Sequence, residues 1–361
     1  MNRRNALRTI GIGTAGAGFL PLAAAAKTPR TLRMVTSWPA GFPGLGTSAH
    51  RVARRLEAAT GGQLKIQVYA AGERVGPFEV FEAVASGEAD LYHSADYYRA
   101  GEIPAYNFFT AIPFGMTAVE MAGWLVYGGG QTLWDELSAP LNIKPLMCTN
   151  TGTQMGGWFN REIRTVDDFD GLRIRMPGLG GVALAQMGAV VRNVAGGEIY
   201  AALKDGNLDA AEWVGPWNDL AAGMHEVADH YYYPGFHEPG GSLALGVNLD
   251  VWQSLGDQEQ RIFEEVTSGE YIRSLTEFNV RNAAALTVLR DEHGITPKPY
   301  SDDVLSRIAA SVTKTVAELG NKDPMTRKVY ESYSAAKAGA MQWSAIGEEA
   351  FLSARRQYDA R

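Results

Sequence analysis

Two arginines on one predicted strand are the first candidates for binding an anion. In the run LRIRM, apolar residues alternate with Arg173 and Arg175. Because successive side chains of a strand point to opposite faces, both guanidinium groups leave the apolar face on the same side. One of them can offer a two-pronged hydrogen bond to a carboxylate. The commoner alternative for an arginine on such a strand is an ion pair at the surface.

A single acid inside an apolar segment is the second candidate. Glu212 lies in the run AAEWVGPW, whose flanking residues predict the end of a buried strand. An unpaired carboxylate there would be strongly destabilised, so it must be paired, protonated or bound to a cation. A salt bridge between strands explains Glu212 as well as a ligand site does.

Two loops carry further polar groups suited to a small ligand. Gln154 lies in the glycine-bordered run TGTQMGGWF, where its amide can give an oxygen to a cation or an N–H to an acid. Glu238 follows His237 in YYYPGFHEPGG, which joins aromatic residues to one acid. Aromatic walls with few polar groups suit a small-molecule pocket, although core packing explains these aromatic residues equally well.

The charge of the chain argues against a nucleic-acid partner. Its formal net charge is −7, and because the first 26 residues carry three arginines and no acid, the rest of the chain is more acidic still. An acidic chain does not attract a polyanion. A small anionic ligand would therefore need a local cluster of positive charge.

The sequence contains no familiar catalytic motif. The six histidines are scattered, and HExxH, GxSxG and clustered thiols are missing. The single cysteine, Cys148, excludes an internal disulfide, and its apolar surroundings predict a buried, unreactive thiol. A binding protein is expected, and an exported hydrolase or metalloenzyme is the alternative class.

Residues 1–26 have the zone order of an export signal. A basic start with Arg3 and Arg4 precedes an apolar Gly- and Ala-rich run and a small-residue end before Lys27. The paired arginines resemble a twin-arginine signal, so a periplasmic location is expected, with the twin-arginine route as one way to reach it. Because no later run of about 18 apolar residues occurs, the mature chain is expected to be soluble.

Strands and helices alternate along the mature chain. Apolar spacing predicts a helix over 45–59, and the alternation in QLKIQV predicts a strand. Further strands are predicted at 31–38, 89–94, 143–149, 156–159, 172–176 and 210–213, with helices at 77–86, 180–187 and 197–204. This order predicts two α/β lobes with mostly parallel sheets covered by helices. A long helix is predicted to begin at Asp257, and the chain after Asp302 is predicted to be helical with a break at 320–324.

Several motifs, in order, resemble one family of receptors. The runs QMGGWFNREI, GLRIRMPG, GGEIYAALKDGNLDAAEWVGPW and YYYPGFHEPG are similar to the receptor subunits of TRAP transporters, in the branch that binds 2-oxo acids and related chelating acids. SWPAGFPGLG and IPFGMT fit the same branch, so the resemblance covers the mature chain. It implies an α/β, periplasmic-binding-protein-like clamp of two lobes joined by crossing strands and a long helix, with the ligand in the cleft.

The resemblance also implies a division of the chain. Lobe I is expected over 27–150, with 242–285 returning to it. Lobe II is expected over 151–241, with part of 286–320. A C-terminal helical tail is expected over 303–361. Because relatives in this branch can dimerise through such a tail, a homodimer is expected.

Residue roles are implied at the matching positions. Arg175 would bind the carboxylate of the ligand, and the aromatic residues Tyr97 and Trp217 would belong to the same site. His237 stands where some relatives carry an aromatic residue, which implies a more polar pocket for the tail of the ligand.

The resemblance further implies a cation. Its ligands would be Gln154, Glu212, Glu238 and the backbone carbonyl of Trp213, the same residues that surround the acid. A strand that points the Glu212 side chain into the site would point the Trp213 side chain away and leave only its carbonyl. Because all these ligands are oxygens, they suit Na⁺ or Ca²⁺ rather than zinc. The carboxylate and keto oxygens of a 2-oxo acid would chelate the same cation.

The expected function is therefore a periplasmic solute receptor of a TRAP transporter. It would close by hinge motion over a small 2-oxo or 2-hydroxy monocarboxylate and deliver it to the membrane permease subunits. A larger organic or sugar acid bound without metal is the alternative ligand. A sensing receptor with the same fold is the alternative role, which the sequence does not separate from transport.

Overall fold

The structure is a computed structural model that describes residues 29–359, so the predicted export signal lies outside the described residues. The strands are β1 Arg30–Thr36, β2 Leu64–Tyr69, β3 Leu91–Ser94, β4 Ile143–Asn150, β5 Gly157–Phe159, β6 Arg173–Arg175, β7 Val190–Arg192, β8 Ala210–Ala211, β9 His230–Tyr233, β10 Ser242–Asn248 and β11 Lys298–Pro299. The α-helices are α1 Leu45–Ala59, α2 Val80–Ala85, α3 Asn107–Thr110, α4 Ala118–Tyr127, α5 Gly130–Ser138, α6 Gly178–Ala185, α7 Ile199–Lys204, α8 Pro216–Ala221, α9 Leu249–Ser254, α10 Asp257–Asp291, α11 Asp302–Leu319, α12 Pro324–Ile346 and α13 Glu348–Tyr358.

Two sheets form the centres of two lobes, as predicted. The first has the order β2-β1-β3-β10-β4 and the second the order β11-β9-β5-β8-β6-β7. Strand β10 comes after five strands of the second sheet in the chain and returns to the first, so the chain crosses between the lobes more than once. The resulting clamp is the class of fold that the sequence predicts.

The sheets are mixed: five of their nine neighbouring strand pairs are parallel and four are antiparallel, so the predicted parallel character is confirmed only in part. Strands β1, β2 and β3 are parallel, but β10 is antiparallel to both β3 and β4. In the second sheet, β6 is parallel to β7 and β8, whereas β5 is antiparallel to β8 and β9. Strands β5 and β10 each follow a crossing from the other lobe and run opposite to their neighbours, whereas β11, which follows a later crossing, is parallel to β9.

Helix α1 has the bounds that its apolar spacing predicts. Its buried face includes Leu45, Ala49, Val52 and Leu56, of which the last three pack with β1 and β2 in one core. Cys148 on β4 belongs to the same core and is fully buried. Burial raises the pKa of its thiol, which agrees with the predicted unreactive cysteine.

Helix α10 spans both lobes. Its 35 residues correspond to a length of about 52 Å at 1.5 Å per residue. Near its start, Phe263 packs in the core of the first sheet, and further along Phe278 and Leu289 pack in a core of the second. The Gly256 N–H donates to Glu259 Oε2 at 2.9 Å where the helix begins.

The tail also contacts both lobes. Val304, Ile308 and Val312 on α11 pack in a core of the second sheet, and Tyr333 on α12 packs in a core of the first. The predicted break falls between these two helices, where Asp323 Oδ1 accepts the Thr326 N–H at 2.8 Å. Helix α13 buries none of its residues. In the stretch 29–359 no helix combines the length and the apolar character needed to cross a membrane.

Candidate functional site

The parallel strands β6 and β8 end side by side and bring two predicted residues together. Arg175 ends β6 and pairs with Ala211, the end of β8, so Glu212 follows directly beside it. Arg175 Nη1 donates to the Glu212 backbone oxygen at 2.8 Å and also contacts the Glu212 carboxylate. Each side chain is about 1% exposed. The site therefore contains a buried ion pair at the centre of the second sheet.

The two candidate arginines have different partners. Arg173 forms a two-pronged ion pair with Asp209, with Nε 2.9 Å from Oδ2 and Nη2 2.5 Å from Oδ1. The Arg173 side chain is 43% exposed, whereas that of Arg175 is buried. Arg173 therefore forms an ion pair at the surface, the alternative role for an arginine on this strand, and Arg175 is the arginine in the site.

The indole of Trp213 also contacts Arg175. The guanidinium carbon lies 5.2 Å from the Trp213 ring centroid, and Phe42 from the first lobe packs edge-on against the same ring. The prediction that the Trp213 side chain points away from the site is wrong because β8 ends at Ala211, so strand alternation does not extend to Glu212 and Trp213.

Oxygen-bearing side chains from separate loops gather around His237. Its Nε2 lies 2.9 Å from Glu212 Oε2 and 3.4 Å from Gln154 Oε1. Gln154 Nε2 in turn donates to Glu238 Oε2 at 2.6 Å and to Thr151 Oγ1 at 3.0 Å. All five side chains are buried. The fold thus assembles the three predicted side chains Gln154, Glu212 and Glu238 into one cluster.

Burial and mutual charge shift the pKa values of this cluster. Burial, together with the charge of Glu212, raises the pKa of Glu238 to about 7. Burial alone would lower the pKa of His237, but the carboxylates of Glu212 and Glu238 outweigh it and raise that pKa. The same balance raises the pKa of Arg175, with Glu212 as its main partner. Two acids therefore face two basic groups in a site sealed from water.

A small cavity lies against this cluster. Its polar lining consists of Tyr97, Tyr98, Thr151, Gln154, Arg175 and Glu238, and its apolar lining of Trp38, Leu45, Ala95, Trp213, Val214 and Leu243. The lining comes from both lobes, with β6 and the 213–214 segment on one side and the ends of β1 and β3 on the other. A molecule held here would contact the buried arginine and apolar walls at once.

Two of the predicted site residues are not among the residues that line this cavity. Trp217 packs edge-on against Phe278 of α10 with ring centroids 5.2 Å apart, and its backbone N–H donates to Asn282 Oδ1 at 3.0 Å. His237 contacts the predicted cation ligands Glu212 and Gln154.

Sequence reasoning missed several lining residues. Trp38 lies in the SWPAG motif, and Tyr98 follows the predicted Tyr97, but neither carries a charge or a spacing that sets it apart from core aromatic residues. Thr151 begins the same glycine-bordered loop as Gln154. Only its place in the same loop, three residues before Gln154, could have indicated it.

The donor set of the cluster fits a hard cation. Glu212 and Glu238 provide carboxylates and Gln154 an amide oxygen, and oxygen ligands of this kind suit Na⁺ or Ca²⁺. Gly241 keeps the cluster open, because a Cβ at this position would lie 2.5 Å from Glu238 Oε2 and 2.8 Å from Thr151 Oγ1. The residues present are therefore compatible with the cation that the sequence implies.

Two sheet-centred lobes with a buried arginine and a small cavity between them define the class of two-lobed solute-binding proteins. The chain belongs to the family of bacterial extracellular solute-binding proteins, family 7, which matches residues 34–323.

Several relatives place the chain within this family. It is 37% identical over 355 residues to the monocarboxylate 2-oxoacid-binding periplasmic protein of Nostoc sp. (strain PCC 7120), with 96% of this chain and 97% of that protein covered. It is 31% identical to a TRAP transporter solute-binding protein from Bordetella bronchiseptica RB50, solved with calcium and picolinate (TM-score 0.90; 92% of this chain and 99% of that chain). It is 33% identical to a TRAP periplasmic solute-binding protein from Pseudoalteromonas atlantica T6c, solved with sodium and pyruvate (TM-score 0.87; 90% and 99%). The chain is a TRAP solute receptor and not an enzyme.

Proposed function

We propose that this receptor binds a small 2-oxo or 2-hydroxy monocarboxylate, with pyruvate and lactate as the test ligands, together with Na⁺ or Ca²⁺. Arg175 would bind the carboxylate, and the cation would be held by Gln154, Glu212, Glu238 and the Trp213 carbonyl. The observation that carries the proposal is that the buried Arg175 contacts this oxygen cluster through Glu212 and is, among the described residues, the only permanently positive side chain that lines the cavity.

Charge balance supports the presence of both the acid and the cation. Glu212 and Arg175 neutralise each other in the pair, so a ligand carboxylate at Arg175 leaves the Glu212 charge without its partner. A monovalent cation at Glu212 restores neutrality, because two positive and two negative charges then share the buried site. The acidic chain supplies no other positive charge at this cavity.

The size of the cavity supports a small acid rather than a sugar acid. The cavity is far smaller than the roughly 300–1,000 Å³ typical of pockets for drug-sized ligands. The relatives solved with pyruvate or picolinate, each with a metal ion, also bind compact acids with adjacent oxygen or nitrogen donors.

Calorimetry on the purified chain tests this proposal. Pyruvate, lactate and gluconate are titrated in buffers that contain Na⁺, Ca²⁺ or a chelator with a large organic cation. We expect pyruvate or lactate to bind in the presence of Na⁺ or Ca²⁺, and gluconate not to bind. Metal-independent binding of gluconate would replace the proposal with the sugar-acid alternative.

Arginine variants provide the matched control. Arg175→Ala leaves Glu212 buried without its partner, and truncating one member of such a pair costs roughly 2 kcal/mol or more, which is about 30-fold in affinity. Arg173→Ala removes an arginine from the same strand that pairs with Asp209 at the surface, so pyruvate affinity should stay within threefold of wild type. Normal pyruvate binding by folded Arg175→Ala would show that another residue binds the carboxylate.

We also propose the lobe division that the sequence predicts. Lobe I would comprise 27–150 with 242–285, and lobe II would comprise 151–241 with part of 286–320. The sheet membership of β1–β4 and β10, against β5–β9 and β11, supports this division. Closure would bring the two sides of the cavity together around the ligand.

A homodimer through the tail belongs to the same proposal. The predicted tail, 303–361, ends in helices that expose Trp343 and Ile346 at 70% and 76%, and exposed apolar clusters mark association surfaces. The Bordetella relative was solved as a dimer. Light scattering should give a dimer mass for wild type, a monomer mass for Trp343→Glu with Ile346→Glu, and an unchanged mass for Tyr127→Glu, which alters an exposed residue on α4. A monomer mass for wild type would exclude the dimer.

Export and delivery complete the proposed function. Residues 1–26 would direct export, with the twin-arginine route as the specific case. The receptor would then deliver its ligand to the membrane permease subunits of a TRAP transporter. Replacing Arg3 and Arg4 with Lys should block export by the twin-arginine route and leave export by the general secretion route intact.

A further inference from the structure

The Trp38 side chain forms part of the wall of the cavity, and its indole N–H, the only polar group of that side chain, is bonded to His93. It lies just after β1, is 2% exposed and lines the apolar part of the cavity with Leu45 and Leu243. Its indole Nε1 donates to His93 Nδ1 at 2.6 Å. Because an indole has one N–H and no acceptor, this bond leaves only ring carbons to face the cavity.

His93 is fully buried and continues a chain of hydrogen bonds through the first lobe. Its Nε2 lies 2.8 Å from Thr149 Oγ1, and Thr149 Oγ1 lies 2.5 Å from Ser48 Oγ. Ser48 Oγ donates to Glu270 Oε1 at 2.8 Å. The chain thus connects the end of β1 through β3, β4 and α1 to helix α10.

The Glu270 carboxylate at one end of this series of hydrogen bonds determines the direction of every bond in it. Arg51 donates to both oxygens of Glu270, which holds that carboxylate as an acceptor. Ser48 must then donate to Glu270, so Thr149 donates to Ser48 and His93 Nε2–H donates to Thr149. His93 Nδ1 is left as an acceptor, which is the tautomer that the Trp38 N–H requires.

Burial also keeps His93 neutral. It lowers the pKa of His93 to about 3, and a doubly protonated imidazolium has no acceptor for the indole. The charged groups in this series of hydrogen bonds are Glu270 and Arg51, and Thr149 and Ser48 separate them from His93. The lock on Trp38 therefore holds through neutral and mildly acidic pH, above the lowered pKa of His93.

The geometry points to His93 as a positioning residue that fixes Trp38 as the apolar wall of the cavity and so restricts the ligand to acids with a short apolar tail. This inference rests on the proposed function for the class of ligand, but the hydrogen-bond lock itself does not. Without the lock, the indole can rotate, the cavity lengthens, and a longer acid gains affinity relative to pyruvate. A residue that only stabilised the lobe would weaken both acids alike.

The experiment compares pyruvate with 4-methyl-2-oxopentanoate on wild type and four variants. His93→Leu removes both hydrogen bonds, whereas His93→Gln keeps one acceptor and one donor. Trp38→Phe shortens the wall itself, and Trp252→Phe changes a buried tryptophan of the same lobe that does not line the cavity. We expect the ratio of the pyruvate Kd to the 4-methyl-2-oxopentanoate Kd to rise about tenfold in His93→Leu and Trp38→Phe. It should stay within threefold of wild type in His93→Gln and Trp252→Phe.

Indole ¹⁵N–¹H spectra provide a second readout that does not require a ligand. The Trp38 resonance, assigned by its loss in Trp38→Phe, should shift upfield in His93→Leu and stay near its wild-type position in His93→Gln. If His93→Leu does not fold, the Kd ratio in Trp38→Phe and the resonance in His93→Gln still decide the question. An unchanged ratio in folded His93→Leu, or an unmoved Trp38 resonance, overturns the inference. If wild type binds neither acid, the proposed function fails, and the resonance alone supports or overturns the lock.

Discussion

Arg175 and Glu212 contact each other in two ways, since Arg175 Nη1 donates to the Glu212 carbonyl at 2.8 Å and also touches the Glu212 carboxylate. The backbone bond fixes where the guanidinium lies. The carboxylate contact occupies a donor that a ligand acid would need. A cation that binds Glu212 would free this donor, so the cation and the acid should assist each other.

The first prediction concerns this coupling. In wild type, saturating Ca²⁺ should raise pyruvate affinity at least tenfold over chelator, and pyruvate should raise Ca²⁺ affinity by the same factor because linkage is reciprocal. Glu212→Gln removes the charge that both ligands share, so pyruvate affinity should become nearly independent of Ca²⁺. Calorimetry in both orders of addition measures the two factors. Equal Ca²⁺ dependence in wild type and Glu212→Gln would contradict the coupling.

The second prediction concerns the space beside Glu238. A Cβ on Gly241 would lie 2.5 Å from Glu238 Oε2, so Gly241→Ala must push the carboxylate aside. Ca²⁺ affinity should fall at least tenfold, while the melting temperature falls by only a few degrees. Gly123→Ala is the control, because a Cβ there meets no atom within 4 Å. Unchanged Ca²⁺ affinity in Gly241→Ala would exclude Glu238 from the cation site.

Much of the fold follows from local patterns in the sequence. Apolar spacing gives α1 with its observed bounds, and alternation gives β2 and β6 to within one or two residues. The direction of β5 and β10 does not follow, because it depends on where the chain crosses between lobes and not on local spacing. Sheets that mix directions therefore arise from the overall path of the chain.

The site is predictable in residue type but not in detail. By strand alternation alone Arg173 and Arg175 are equivalent, and only the resemblance selects Arg175; the register with β8 distinguishes them by placing Asp209 next to one and Glu212 next to the other. No periodicity in the sequence describes how Trp217 and His237 are placed. Their contacts with α10 and with the cation ligands, respectively, are therefore visible only in the structure.

The third prediction concerns Asp219 as a support of the 212–215 segment. Its buried carboxylate accepts the Val214 N–H at 3.1 Å, the Trp158 indole N–H at 3.0 Å and the Tyr231 hydroxyl at 2.7 Å. Asp219→Asn keeps one acceptor oxygen but replaces the other with an NH₂ group. That group is a donor and would face groups that are themselves donors. Because Val214 follows Trp213 in the chain, pyruvate affinity should fall about tenfold together with a lower melting temperature.

A second variant separates support of the site from general stability. Asn248 is also buried, accepts two backbone N–H groups at the start of α9 and lies away from the cavity. Asn248→Ala should lower the melting temperature by a similar amount and leave pyruvate affinity within threefold of wild type. If both variants lose affinity equally, Asp219 contributes to stability alone.

The fourth prediction concerns pH and His93. Burial lowers the pKa of folded His93 to about 3, below the ordinary value of about 6.5 that applies to the unfolded chain. The unfolded chain then takes up a proton that the folded chain does not, so His93 removes stability as pH falls below about 6.5, by at most ~1.4 kcal/mol per pH unit. His93→Gln has no such group, so its stability relative to wild type should improve steadily from pH 7.5 to pH 5.

Urea unfolding of both proteins at pH 7.5, 6 and 5 measures this difference. The acids with raised pKa values, Asp96 and Glu238 at about 7, have the opposite effect, because the folded chain takes up their protons first. They are present in both proteins and cancel in the comparison. His50→Gln replaces an exposed histidine and should follow the wild-type curve at all three values. A constant gap between wild type and His93→Gln would mean that folded His93 takes up a proton as readily as the unfolded chain does. It would then be an imidazolium at pH 5, and an imidazolium has no acceptor for the Trp38 indole.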